Sequence, residues 1–487
     1  MTNRITDAKD LPRVESQIAQ CNASIGPPEK GMGTPEEIEE LVGKARRVLG
    51  ECPANSSISS GGYSQRVVYP KDSILDDWMQ FARQQVESAD AFIIGSILPV
   101  CAALLGRRIY FRWGELRIFP NCFNMLAGKP GDRKTSAIGL AETLARRVLS
   151  ETAFIPKSFS PEALFEEFSE DHGGRPDKLW IVDEANPILT DWRKSATGER
   201  VAPRFLELYD CNTISENFRR NGKGNKRRRT IPQTSTSLLF GATFNIACFQ
   251  GQAIREGLAR RFLYYVAENH GRLIVRPPRN GDHLALDALA AGFRELENIS
   301  GEMDFSQRAA VVWEQHQKEN RIAIAQADPI KEEAKTSRLN SAPMQALKLA
   351  MIFEAARWAK SVREPLFNGC RQGCIIEERT LNEAIEHIRA CLEAAEYLDS
   401  IANKAEIAQQ AEILMAHVRR DFLNRQHDGF IIVTRTDLTQ RYCHNSGRKG
   451  WKPDDLYLKF IPLLQRRREA GLIERQGKKE VFAFRVE

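Results

Sequence analysis

The chain has 487 residues, 42% of them hydrophobic and 28% charged, which is ordinary for a globular protein and leaves enough apolar surface for the cores of two to four domains. A net charge of +6 does not by itself mark a nucleic-acid binder, so the distribution of charge matters more than its sum. The ten cysteines are scattered and Cys370/Cys374 is the only close pair; a structural zinc site wants a second pair at matching spacing, so the thiols read as reduced side chains of a cytosolic, cytoplasmic protein.

From the N-terminus, residues 1–33 are polar and end Gly/Pro-rich, without a secretory signal, and are expected to form a mobile arm. "TPEEIEELVGKARRVLG" predicts a short helix, with Thr34 able to cap, Pro35 at the first position and Glu37 completing a capping box. "CPANSSISSGGYSQ" has the composition of a linker, so residues 1–64 read as arm, helix and linker. Residues 65–120 read as a helical and hairpin extension. In it, "AFIIGSILPVCAALLG" is shorter than the ~20 residues a membrane span needs. With Ser96 and Pro99 inside, it predicts a buried helix pair, and no membrane partner is expected. "RRIYFRWGELRIFPN" predicts two strands around a Trp-Gly-Glu turn.

Residues 121–283 alternate strand and helix signals: the strand "CFNMLAG", a helix from Thr135, the helix "SPEALFEEF" with Ser160 as cap, the strand "LWIV" and the strand "TSLLFGATFN". Such alternation predicts a parallel sheet covered by helices. Residues 284–405 are mostly helical, as in "APMQALKLAMIFEAARWAK", and read as a lid or connector. Residues 406–487 carry three helices, the strand "GFIIVT" and a terminal hairpin, "IERQGKKEVFAFRV", the layout of a winged-helix domain.

The chemistry concentrates in the core. "NMLAGKPGDRKTSAIGLAETL" runs from an apolar strand through a glycine turn into a helix opening on Lys134 and Thr135. Backbone N–H groups in such a turn and at a helix N-terminus attract phosphate. Lys134 would contact the β- and γ-phosphates of ATP and the Thr135 hydroxyl would hold Mg²⁺, with Gly128, Pro130, Gly131, Asp132, Arg133 and Ser136 completing the contact set. The general pattern has glycine before the lysine, where this chain has Arg133. "LWIVDEA" places Asp183 and Glu184 at a strand end, Asp183 to hold Mg²⁺ through water and Glu184 to orient and deprotonate the attacking water. The spacing after Lys134 allows the two motifs to sit on neighbouring strands. "LLFGATFN" ends in Thr243 and Asn245, and Asn245, or Thr243, would hydrogen-bond the γ-phosphate or the water. "REGLARRFLYYV" carries Arg260 and Arg261 before an apolar run. An arginine supplied to a neighbour's nucleotide is worth about 10³–10⁵ in rate.

The order lysine loop, Asp-Glu, polar strand end, arginine resembles the AAA+ ATPases and, within them, the minichromosome-maintenance helicases. The resemblance rests on "GKPGDRKT", which fits a G-x-P-G-x-x-K-[ST] loop lacking the glycine, and on "LARRF", similar to the arginine motif L-x-R-F with Arg261 in the arginine position. The chain is also similar to phage- and plasmid-associated P-loop proteins of primase- or helicase-like type, through "SPEALFEEF" before the Asp-Glu strand and "MQALKLAMIFEAAR" after the core. The resemblance covers about residues 70–370. It implies an α/β P-loop NTPase core of AAA+ type, an ATP hydrolase that works as a homo-oligomer, expected to be a hexamer, with Lys348 or Arg338 as the second sensor.

Between the core strands, residues 219–229 carry Arg219, Arg220, Lys223, Lys226, Arg227, Arg228 and Arg229 around an Asn221-Gly222 turn signal, with no acidic residue. In the helicases resembled, a basic hairpin placed here projects into the ring's pore and grips DNA. So many like charges repel unless a polyanion offsets them, which favours DNA contact over a solvated loop or a patch for an acidic neighbour. Such phosphate contacts are sequence-blind. The basic residues of the C-terminal module are interrupted by Asp454, Asp455 and Glu469 and suit DNA or protein docking equally. The expected function is therefore an ATP- and Mg²⁺-dependent helicase or translocase on single-stranded or forked DNA, serving replication of a mobile genetic element. The alternatives are a DNA-binding initiator or regulator that uses ATP to assemble, and an anti-phage defence ATPase.

Overall fold

The structure, a computed structural model, describes residues 35–49, 63–157, 161–168, 177–194, 198–219, 226–231, 233–244, 257–268, 272–275, 282–328, 332–362, 374–443, 451–467, 469–476 and 479–486. The arm expected over 1–33 lies outside them, as do residues 52–62 of the linker expected over 52–65; its last residues are not free linker, since buried Gln65 accepts from the Val266 N–H at 2.8 Å and donates to Tyr264 O at 3.2 Å. The chain divides into two compact units, one of residues 58–404 and one of residues 1–57 with 405–487.

The larger unit is built on strands β1 (Ile109–Trp113), β2 (Leu116–Ile118), β3 (Phe123–Ala127), β4 (Lys178–Val182), β5 (Ile214–Arg219), β6 (Lys226–Ile231), β7 (Thr236–Ala242), β8 (Phe262–Val266), β9 (Gly301–Phe305) and β10 (Ile375–Ile376). Its centre is a sheet of order β4-β7-β3-β8 in which every pairing is parallel. Successive side chains of a strand face opposite ways. Phe123, Met125 and Ala127 of β3 accordingly enter one core with Trp180, Phe240 and Tyr264, while Leu126 enters the other with Leu179, Leu239 and Tyr265. Both faces are dry, which is why these strands read as continuous apolar runs.

One face is covered by the helices Asp90–Leu105 and Lys134–Val148, the other by Gly198–Tyr209 and by Ala394, Ala395 and Leu398 of the long helix Glu378–Asp421. The apolar run expected as a helix pair is a single helix, Asp90–Leu105, with Pro99 inside it. Proline removes the N–H that would bond the carbonyl four residues back. That carbonyl, on Gly95, instead accepts from Asn124 Nδ2 of β3 at 2.7 Å, so no break is needed. Gly95 is required there: a Cβ would stand 2.5 Å from the Tyr265 ring.

The segments expected as extension, core and lid share one hydrophobic core. A second sheet, β10-β9-β1-β2, joins the β1/β2 hairpin to β9 and β10 from the region read as mostly helical. His387 of the long helix pins these parts together. Its Nδ1–H donates to Val68 O at 2.5 Å, so its Nε2 accepts from Tyr265 Oη at 2.9 Å. Burial pushes its pKa down from 6.5 to about 4. In that window the unfolded chain binds the proton and the folded chain does not, so stability is full above pH 6.5 and is lost as pH falls toward 4. The expected cost between pH 7 and pH 5 is roughly 2 kcal/mol. Denaturant titrations of wild type and His387→Gln at the two pH values check it: the difference between the two proteins should shrink by that amount at pH 5.

The smaller unit holds β11 (Gln426–His427), β12 (Phe430–Thr434), β13 (Ala470–Gln476) and β14 (Lys479–Arg485) in an antiparallel sheet of order β11-β12-β14-β13. Helix Arg435–Tyr442 starts on a capping box, in which Thr434 Oγ1 accepts from the Asp437 N–H and the Asp437 carboxylate accepts from the Thr434 N–H. One face of the sheet packs on Leu438, Leu456 and Leu464, and the other is covered by Val42 and Ala45 of helix Pro35–Leu49. Among the described residues no helix is long and apolar enough to cross a membrane.

Candidate functional site

Because the central sheet is parallel, the C-terminal ends of β3, β7, β8 and β4 share one edge, and in open α/β sheets ligands bind at that edge, where the strand order diverges. β3 is flanked on both sides by strands that come later in the chain. The lysine loop leaves its end.

Gly128 is fixed by an N–H bond to Ala242 O at 3.2 Å, and a Cβ on it would stand 2.8 Å from the Asp132 carboxylate and 3.1 Å from both Ala267 O and the Phe92 ring. The buried Asp132 carboxylate accepts from the Lys129 N–H and folds the loop on itself. Pro130 is exposed at its tip, and Gly131 turns the chain with φ +95°. Arg133 follows at φ 61°, ψ 24°, left-handed backbone that costs a residue with a Cβ about 1 kcal/mol. This is where the general pattern has glycine. Arg133 is held there by Ser88 Oγ, which donates to its carbonyl at 2.6 Å, and by Glu87, whose Oε2 lies 3.2 Å from Nη2.

Lys134 opens the helix and is buried. Its Nζ donates to the carbonyls of Gly128 and Lys129, both at 2.9 Å. Burial lowers its pKa, while the charges of Asp132 and Glu184 act the other way. Thr135 is exposed and Ser136 half-buried on the first turn, beside main-chain N–H groups that no side chain caps.

Asp183 and Glu184 leave the end of β4. Their strand is not the neighbour of β3 that the spacing suggested: β7 lies between them, so β3 and β4 stand two strand spacings, roughly 10 Å, apart. Gly241 lets the backbones close, since a Cβ there would stand 2.5 Å from Asp183 O, and the Ala185 N–H bonds Gly241 O at 2.8 Å. Asp183 pairs with Lys157 at 3.5 Å, and Glu184 is exposed toward Lys134. At the end of β7, Thr243 Oγ1 accepts from Asn186 Nδ2 at 2.5 Å, while the buried Asn186 Oδ1 has no hydrogen-bond partner among the described residues. Asn245 lies outside the described residues.

The structure thus brings Gly128–Ser136, Asp183, Glu184 and Thr243 to one edge. It does not bring the arginines there. Arg260 and Arg261 precede β8 and therefore sit at the opposite edge, a strand length of roughly 17 Å away. Arg261 is 12% exposed, pairs with Asp210 at 2.6 Å and donates to Gly257 O at 2.9 Å. Arg260 is half-buried, and among the described residues no ion pair holds it. Lys348 is buried at that far edge too, bonded to Asn121 Oδ1 at 2.7 Å and lying over the Tyr209 ring. Arg338 is bidentate to Asp399 at 2.6 and 3.0 Å.

The basic hairpin is the two-stranded ribbon β5/β6. In the backbone register Arg219 pairs with Lys226, Phe218 with Arg227, Asn217 with Arg228 and Glu216 with Arg229. Arg220 and Lys223 lie outside the described residues. The ribbon is rooted by Ile214 and Ile231, both buried in the core.

Sequence reasoning missed Glu87, Ser88, Lys157, Asn186 and Asp210. None carries a local motif; each matters only through a partner distant in the chain. Among the described residues no group of three or more His, Cys, Asp or Glu side chains is arranged to hold a metal. Mg²⁺ commonly uses one or two carboxylates with phosphate oxygens and waters, a smaller protein ligand set than such a group. The chain matches no protein-family model and no curated protein.

Proposed function

We propose that the larger unit is a P-loop NTPase of AAA+ type and that the chain is an ATP-driven motor acting on DNA as a homo-oligomer, with a hexamer as the expected ring. The observation that carries this reading is the convergence at one sheet edge of a glycine-cradled loop, a buried lysine bonded only to loop carbonyls, and the Asp183/Glu184 pair, with β7 inserted between their strands. Among the described residues no carboxylate bonds this ammonium, so it can exchange carbonyl oxygens for phosphate oxygens without breaking a hydrogen-bonded ion pair. The C-terminal ends of β3 and β4 stand roughly 10 Å apart with the end of β7 between them, so a polyphosphate held by Lys134 and Asp183 would lie across the tip of β7.

In this reading Lys134 and the uncapped helix N–H groups bind the β- and γ-phosphates, and Thr135 and Asp183 hold Mg²⁺. When bound, Mg²⁺ neutralises charge developing on the transferred phosphoryl group. Glu184 takes the proton of the attacking water, and Thr243, or Asn245, orients it. Arg260 and Arg261 stand too far from their own loop to act on it, so any catalytic role needs a second copy. Arg260 is the less committed of the two; Arg261 would have to leave Asp210. The β5/β6 ribbon contacts the DNA backbone, and the cytoplasm of a cell carrying a mobile element is the setting the resemblance suggests.

ATP hydrolysis measured with and without single-stranded DNA tests the reading. Turnover should rise severalfold when DNA is added to an oligomeric preparation. Absence of hydrolysis in both states would discard the motor, and sequence-specific binding without unwinding would favour an initiator.

A further inference from the structure

Lys129 lies at the rim of the loop, its side chain 57% exposed and its Nζ 3.6 Å from Glu268 Oε1. Glu268 follows β8, and its side chain is only 14% exposed. Its N–H donates to Tyr63 O at 3.0 Å, and its carboxylate accepts from Tyr397 Oη at 2.6 Å. The Tyr397 ring is itself stacked on Tyr63, with centroids 4.2 Å apart. Burial, and next the bond to Glu268, raise the pKa of Tyr397, so its phenol is a fixed donor. Glu268 is therefore held from two sides, while the Lys129 side chain is the exposed partner.

The backbone of Lys129 belongs to the same switchable set. Its N–H is bound by Asp132 and its carbonyl by Lys134 Nζ. A polyphosphate that draws Lys134 away releases the Lys129 carbonyl at the same moment, and it offers the Lys129 ammonium a more highly charged acceptor than one carboxylate.

We propose that Glu268 is a brake on nucleotide affinity: it holds Lys129 off the polyphosphate, and binding requires Lys129 to exchange Glu268 for phosphate oxygens. This rests on the nucleotide reading of the loop and adds a residue that no motif marks. By linkage, whatever strengthens the Glu268–Lys129 contact weakens binding, and the converse. Tyr397 tempers the brake, because its hydrogen bond spreads the carboxylate's charge over a second partner.

The test is a double-mutant cycle on the full chain, with Mg²⁺-ATP affinity measured by titration for wild type, Glu268→Gln, Lys129→Ala and the double variant. Glu268→Gln keeps an oxygen for Tyr397 and should tighten binding about 2- to 5-fold, the range of a partly exposed ion pair. In the Lys129→Ala background it should change nothing. Tyr397→Phe, which returns the full charge to Lys129, should weaken binding. An equal tightening in both backgrounds would reveal plain charge repulsion and overturn the proposal, as would a weakening by Glu268→Gln, the result of a merely structural role. Wild-type protein that binds no ATP would instead overturn the nucleotide reading, and the brake with it.

Discussion

Lys134→Ala is expected to lower ATP hydrolysis by at least about 10²-fold, the loss typical for removing one preorganised charge from a phosphoryl-transfer site. The fold should survive it. Lys134 is buried and, among the described residues, its ammonium bonds two carbonyls and no carboxylate, so its removal breaks no hydrogen-bonded ion pair, although the nearby Asp132 and Glu184 lose a counter-charge. It frees the carbonyls of buried Gly128 and exposed Lys129, at a cost of about 1–3 kcal/mol for the buried one. Phosphate release and a thermal melt on the same preparation separate the two effects. Hydrolysis within tenfold of wild type would remove the lysine from the chemistry. A melt lowered by many degrees would show that the loop is structural.

Replacing Lys226, Arg227, Arg228 and Arg229 together by alanine is expected to weaken single-stranded DNA binding by about 10²-fold or more at low salt. Each lost phosphate contact also reduces the dependence of log affinity on log salt by roughly 0.7 for a single strand, so the slope should fall by up to about 3. The ribbon itself should persist, because Ile214 and Ile231 at its base are buried and untouched, and Ser215 still meets Thr230 at 2.9 Å. An isolated affinity loss with an unchanged salt slope would place the contact elsewhere.

Much of the larger unit was legible before its structure. β3, β4, β7 and β8 announce themselves as short apolar runs, and the lysine loop and Asp183/Glu184 lie at their ends as expected. Their order was not legible: the spacing allows β4 beside β3, and β7 separates them. Pro99 suggested a broken helix because the residue that accommodates it, Asn124, is on another element. Arg133 looked anomalous until its left-handed backbone and its anchors, Glu87 and Ser88, were seen together.

By itself the sequence determined what is encoded over a few neighbouring residues: periods of 2 and 3.6, glycines where the chain must turn, and which polar groups end a strand. Burial of an apolar face is non-directional, so a pattern states that a strand is covered and not by what. Polar contacts are short and directional, and they join residues far apart in the chain, as Tyr397 joins Glu268 and Asn124 joins Gly95. The tertiary structure alone therefore decided the strand order, the separation of Arg260 and Arg261 from their own loop, and the Glu268 contact at the rim of the site.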